Sequence, residues 1–447
     1  MPEKEPNSQS DFMIEKIKER PINKRKLFFR TLITVVMAII FGLVACFTFL
    51  ALEPILNNWM NPKEELPMIY FPEEQEEMSP EDMLTENITD PMTEEPTEQN
   101  EQTDGFALED EQIQQITLRL RLGVANYRQL YSALANYSTI LKKSVVTLTG
   151  IQSRVDWLND INESENSSSG VIIANNTKEL LILADYTPLQ TSDRILVTFC
   201  NGAETTAELK HIDPTTNFAV VAVALEGLPR DFVNETISIA TQGSTNQSNM
   251  EGTPVIALGN PMGSIGSVGY GVITGTTGLA YEVDVNYKLL QTDIVGSPKA
   301  GGVLFNLYGQ VVGIITNSHN APGMENLITA YGITDLKKRM EKLSNDQPFA
   351  YAGIYGMTIN TGVRENMEIP YGAYVRDVIM DSPAMRAGIR QGDIIISLDD
   401  RDIMDFADYV SVMALQSPEK TVPVRIMRQA QNQYKEMNLE IVLEELE

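Results

Sequence analysis

Covalent chemistry on a serine needs a hydroxyl, a base within hydrogen-bond reach and a third group that orients the base. Bases are scarce here: among 447 residues only His211 and His319 are histidines. His211 stands just before Asn217, in the turn entering the same apolar run, too close in sequence to occupy the separate loop that a base requires. His319 follows an apolar run and reads as an exposed loop residue. Ser297 and Lys299 form the one serine–lysine pair worth weighing, but a lysine base must be desolvated and aimed at the hydroxyl. Residues two apart on an irregular loop rarely achieve both. The glycine-rich "LGNPMGSIGSVGYGVITGT" lacks the Lys-Ser/Thr ending of a phosphate loop and opens no helix. No "DxDxDG" calcium loop occurs, and no metal or cofactor is expected.

Charge and composition narrow the class further. A formal charge of -27 argues against nucleic acid as a partner, because phosphate binding needs clustered Lys and Arg. The basic residues that do cluster, Lys16 to Arg30, precede the uncharged run "TLITVVMAIIFGLVACFTFLAL", which begins at Thr31 and ends at Leu52. At about 22 residues it is long enough to cross a hydrocarbon core of about 30 Å as a helix. The Lys and Arg before it place the N-terminus in the cytoplasm and the rest of the chain outside. A cleaved signal or a lipid attachment at Cys46, in "LVAC", is the alternative, although the apolar run continues past that cysteine. Cys46 and Cys200 suggest no disulfide framework. Over residues 53–111 only Lys63 stands against a dense run of Asp and Glu, a composition that reads as a solvated, disordered tether.

The elements that must position any site begin near Ile113 with a helical apolar spacing. From Val145 the pattern changes to short β-branched runs parted by Gly, Asn, Asp and Ser: "VVTLTGI", "GVIIAN", "ELLILA", "RILVTF", "NFAVVAVAL", "PVIALG", "YGVITGT" and "QVVGIITN". Such spacing predicts a mainly β architecture of barrel or sandwich type. After Phe349 comes "DSPAMRAGIRQGDIIISLDDRDI": Ser382 and Pro383 open a short helix, Gly388 stops it, Gly392-Asp393 turns, and Ile394 to Leu398 form a strand. A second helix follows, with Phe406, Tyr409, Val410 and Met413 on one face, and then two strands.

These motifs resemble the HtrA/Deg family of serine proteases. "QTD" at Gln291 to Asp293, the closing Gly301-Gly302 and the "GQVVGI" strand match the family's nucleophile loop, one residue short. The resemblance implies a trypsin-like double antiparallel β-barrel followed by a PDZ domain. Residues 1–30 would be a cytoplasmic basic segment, 31–52 a transmembrane helix, 53–111 the acidic linker, 112–346 the protease-like domain and 347–447 the PDZ domain. The family's histidine then falls on Thr187 in "LILADYTPL", its aspartate on Asn217 in "DPTTNFAV" and its serine on Ala300. The oxyanion glycine falls on Pro298, which has no N–H. An engineered trap changes one residue, whereas here base, acid and nucleophile are all replaced, so the resemblance implies a naturally degenerate enzyme. It further implies a PDZ peptide site: the loop Tyr351, Ala352, Gly353 and Ile354 for a terminal carboxylate, with Ile354, Val410 and Met413 around the last side chain. Implied partners are polypeptide C-termini or unfolded protein, and a homo- or hetero-trimer involving Tyr127, Tyr131 and Tyr137. The rivals are an endopeptidase with a non-standard or partner-completed site, and a structural scaffold.

Overall fold

A computed structural model describes residues 37–38, 40–41, 66–71, 124–155, 161–229, 231–247, 249–316, 318–320, 323–431 and 433–446. All but residues 37–38 and 40–41 of the expected membrane span, and most of the acidic tether, lie outside them. Among the described residues no helix is long and apolar enough to cross a membrane. The chain divides into two units, residues 1–66 and 67–447, and the second holds everything that follows.

Helix α1 (Val124–Leu141) leads into a closed antiparallel barrel of β1 (Val145–Val155), β2 (Ile161–Asn175), β3 (Glu179–Asp185), β4 (Arg194–Thr198), β5 (Glu204–Ile212) and β6 (Phe218–Ala224), ordered β1-β2-β3-β6-β5-β4. The second sheet contains β7 (Thr241–Gln242), β8 (Pro254–Gly259), β9 (Ser267–Glu282), β10 (Val285–Val295), β11 (Gly302–Asn306), β12 (Gln310–Thr316) and β13 (Leu327–Gly332). It runs β11-β8-β9-β10-β13-β12, closes by pairing β11 with β12, and carries β7 parallel on β12. Period-two alternation explains why runs such as "ELLILA" are apolar throughout. On β3, Leu180 and Ile182 point into the first barrel while Leu181 and Leu183 join a core shared with the second. On β8, Val255 and Ala257 fill the second barrel while Ile256 and Leu258 face that shared core.

The shared core is sealed by α2 (Ile333–Ser344), which buries Ile333, Leu336, Met340 and Leu343 along one stripe. Its Arg339 donates to the buried Asp213 at 2.7 Å. Asp213 also accepts from the Thr215 hydroxyl at 2.8 Å, Thr216 at 3.0 Å and Tyr287 at 3.3 Å. Among the described residues of the acidic segment, 66–71, the chain is docked and not a free tether: Ile69 N–H donates to Asn345 Oδ1 at 2.8 Å, Phe71 N–H donates to Glu341 Oε1 at 2.8 Å, and the Phe71 ring enters the shared core. Apolar residues at 69 and 71 supply the burial that the surrounding acids lack.

Beyond α2 come β14 (Ala350–Tyr351), β15 (Ile354–Met357), α3 (Thr361–Asn366), β16 (Ala373–Val378), α4 (Pro383–Ala387), β17 (Ile394–Leu398), β18 (Arg401–Asp402), α5 (Phe406–Ala414), β19 (Thr421–Ala430), β20 (Gln433–Val442) and β21 (Glu444–Glu445). Ser382 caps α4 by accepting from Met385 N–H, and Gly388 ends it at φ 91°, as expected. The sheet runs β15-β16-β17-β19-β20, leaving β15 at its edge. Its separate core gathers Ile354, Val375, Leu398, Phe406, Tyr409, Val424 and Ile426.

Candidate functional site

Two loops could hold an anion on backbone N–H groups, and they differ in what those groups do. The first joins β10 to β11. Its residues bond inward: Lys299 N–H donates to the Ser297 hydroxyl at 3.1 Å, Ala300 N–H to Ser297 O at 2.8 Å, and Gly301 N–H to Asn260 O at 3.4 Å. Pro298, between them, has no N–H. Ala300 is buried in the apolar cluster with Met250, Ile294 and Leu304, while Pro298 and Lys299 are exposed.

Thr187 opens a short 3-10 turn after β3, where its N–H donates to Asp185 at 2.9 Å. Asn217 sits in the β5–β6 turn at φ 57°. The two segments meet, because Tyr186 N–H donates to Asn217 O at 2.9 Å, and both Thr187 and Asn217 are exposed. Neither histidine is bonded to a serine. His211 contacts Asp346 at 3.4 Å and lies against the Phe349 ring. His319, expected as an exposed loop residue, is half-buried, bonds the Tyr331 hydroxyl at 2.8 Å and contacts Glu282 at 3.4 Å. Burial and the neighbouring Glu282 push the Tyr331 hydroxyl well above its ordinary value. The Asn260–Gly266 segment is the β8–β9 turn, in keeping with its structural reading.

The second loop is Tyr351 to Ile354, and here the N–H groups converge. Ala352 and Gly353 both donate to Asp284 Oδ2 at 2.8 Å, and Ile354 donates to Asp284 Oδ1 at 3.1 Å. The Tyr409 hydroxyl adds a fourth bond to Oδ1 at 2.7 Å. Gly353 has φ 88°, and a Cβ there would stand 2.3 Å from Ser382 Cβ. Only glycine gives this loop its form. Asp284 belongs to the two-residue turn between β9 and β10, with φ 57°, a conformation that Asp tolerates better than most residues. Burial pushes its carboxyl above the ordinary range, opposed by the bonds from Gly353, Tyr409, Ala352 and Ile354.

Further contacts join the same hairpin to the PDZ-like fold. Asp284 N–H donates to Ile354 O at 2.8 Å, Asn286 Nδ2 donates to Gly356 O at 3.1 Å, and the Arg376 guanidinium lies 4.8 Å from the Tyr281 ring centre. Val285, Val410 and Met413 line a cavity of about 50 Å3 beside Asp284, together with Arg339 and Phe349. Of the residues named for the last side chain, Val410 and Met413 line this cavity, while Ile354 belongs to the core against which they pack; the sequence reading did not include Asp284, Asn286 or Tyr409. The only signal was a Val-Asp turn in "YEVDVNY", and it carries no sign of burial.

Residues 168–314 match the family model described as a trypsin-like peptidase domain, and residues 339–441 match that of a PDZ domain. Among curated relatives, a serine protease Do-like HtrB of Bacillus subtilis is 29% identical over 264 residues, covering 55% of this chain and 56% of that one. A probable periplasmic serine endoprotease DegP-like of Pseudomonas fulva is 30% identical over 278 residues, covering 60% and 54%. The chain thus spans about half the length of these relatives. A solved structure of the HtrA-type protease AlgW with a decapeptide shares the fold at TM-score 0.50 and 22% identity, over 70% of this chain and 99% of that one. The chain combines a trypsin-like peptidase domain with a PDZ domain, the pairing found in the HtrA/Deg serine proteases to which it is similar.

Proposed function

We propose that the protein is a membrane-anchored, extracytoplasmic HtrA-like pseudoprotease that binds polypeptides, C-terminal or unfolded, through its PDZ domain without cleaving them. One observation carries the reading: the chain has only two histidines, of which His319 bonds the Tyr331 hydroxyl and His211 contacts Asp346, and on the resemblance Thr187, Asn217 and Ala300 take the places of the family's histidine, aspartate and serine. Loss of a single triad member removes most of the rate, and loss of an oxyanion donor costs a further factor of about 10² to 10³. An adaptor or quality-control role suits such a molecule. The PDZ match and the decapeptide held by AlgW support peptide binding. The periplasmic relative and the basic residues before Thr31 support the location. On this reading residues 112–346 and 347–447 are the two working domains.

A trimer remains part of the proposal. Tyr127 and Tyr131 lie exposed on α1 with ring centres 5.0 Å apart, while Tyr137 packs partly against the shared core. The names of the relatives favour the rival reading, an endopeptidase completed by a partner or a non-standard site. Incubating the full chain in detergent with casein and a fluorophosphonate probe, alone and together with the proteins that co-purify with it from solubilised membranes, separates the two. Intact casein and no labelled serine are expected, and stoichiometric serine labelling overturns the proposal.

A further inference from the structure

We propose that the PDZ groove holds an internal ligand: the β9–β10 hairpin docks there with Asp284 in the place of a peptide's terminal carboxylate, and a polypeptide C-terminus binds by displacing it. The inference rests on the reading of this domain as a peptide receptor and specifies how that receptor is gated.

Three features of the hairpin match what a C-terminal peptide must bring. It supplies a carboxylate whose two oxygens take the N–H groups of Ala352, Gly353 and Ile354. It meets β15, the edge strand of the sheet, where an added strand would pair, through Asp284 N–H on Ile354 O and Asn286 Nδ2 on Gly356 O. It places a buried apolar side chain, Val285, beside Val410 and Met413. The hairpin and a peptide would therefore use the same donors and the same edge, so the two cannot occupy the groove together.

The chemistry of position 284 separates a built ligand from an incidental contact. A turn residue at φ 57° is accommodated by Asn or Gly as readily as by Asp, and either would spare the chain the cost of taking a carboxylate fully out of water. An acid at this position has a return only if fixed donors meet it, and four do. Releasing the hairpin returns both the carboxylate and the loop to water. A peptide carboxylate then restores the loop's bonds without needing a new site.

The test uses the full chain in detergent and fluorescein-labelled decapeptides of Gly and Ser ending in Val, Leu, Ile or Phe, each as free acid and as amide. Asp284→Asn keeps the turn and the size of the side chain but removes the charge. Asn286→Ala, outside the carboxylate loop, loosens the same hairpin and serves should the first variant fold poorly. Anisotropy should show the free acids binding at least tenfold tighter to Asp284→Asn than to the parent, with Asn286→Ala between them and amides showing no gain. Hydrogen exchange at Ala352, Gly353 and Ile354 should be at least tenfold faster in Asp284→Asn and should slow again when a free acid binds. Equal peptide affinity and equal exchange in parent and variants overturn the internal ligand while leaving the receptor reading intact. Faster exchange with no free acid bound by either protein supports the latch and sinks the receptor reading instead.

Discussion

The β10–β11 loop and the Tyr351–Ile354 loop pose the same problem, how to hold negative charge on backbone N–H groups, and they stand in opposite states. In the first, Ser297 takes two of the available donors and Pro298 lacks one. In the second, Gly353 lets three donors point one way, and a carboxylate sits on them. Glycine count does not separate them, since the first loop is flanked by Gly296, Gly301 and Gly302. Convergence of N–H groups that have no closer acceptor does. A loop can keep the glycines of an anion site and still collapse onto its own side chains.

The largest change to this contrast should come from Gly353→Val. The added side chain meets Ser382 and forces a bulky residue into the left-handed region, so chemical denaturation should show a loss of about 3 kcal/mol. A neutral result would mean that the loop does not need its positive φ. Tyr409→Phe removes one of four donors from a buried carboxylate while keeping the stacked ring beside Phe406. A loss of about 1.5–3 kcal/mol is expected from the same measurement, and no loss would show that water already serves Asp284. Ser297→Ala frees Lys299 N–H at a largely exposed position, and about 0.5–1.5 kcal/mol should be lost. A stabilised variant would show that the loop is strained rather than settled. The smallest effect belongs to Ala300→Ser. It should leave casein intact, since His319 bonds Tyr331 and His211 contacts Asp346, and turnover from this single change would mean that the base has been misassigned.

What the sequence made legible follows from which signals are local. Caps and turns of the PDZ-like fold were readable because Ser382, Pro383, Gly388 and Gly392 act on their immediate neighbours. Strands buried on both faces, such as β3 and β6, announce themselves as continuous apolar runs. β5, "ETTAELKHI", was missed because its residues remain partly or fully exposed and its charges break any apolar run. β10 and β13 were missed as strands because "VNYKLLQTDIV" and "LITAYG" mix polar with apolar residues, and only pairing with neighbours reveals them. Asp284 lies furthest from what sequence pattern can supply. Its burial depends on a loop 68 residues later in the chain, and nothing in "EVDVN" points to that partner.

The attachment of Ile69 and Phe71 to α2 alters the mechanics of the acidic segment. Phe71 and Val124 both belong to the same folded body, so the chain between them begins and ends on that body and adds nothing to its leash. If the protein is held at Leu52, as proposed above, the free length runs only to Pro67. That is about 15 residues of chain, against about 70 for a leash running on to α1. A pull on the N-terminal side would bear first on Asn345 and Glu341 of the α2 end, next to the start of the PDZ-like fold, and not on α1. Substituting Phe71 would then do more than cost a buried ring: it would pay out the slack and let the folded body stand farther from whatever holds the N-terminus.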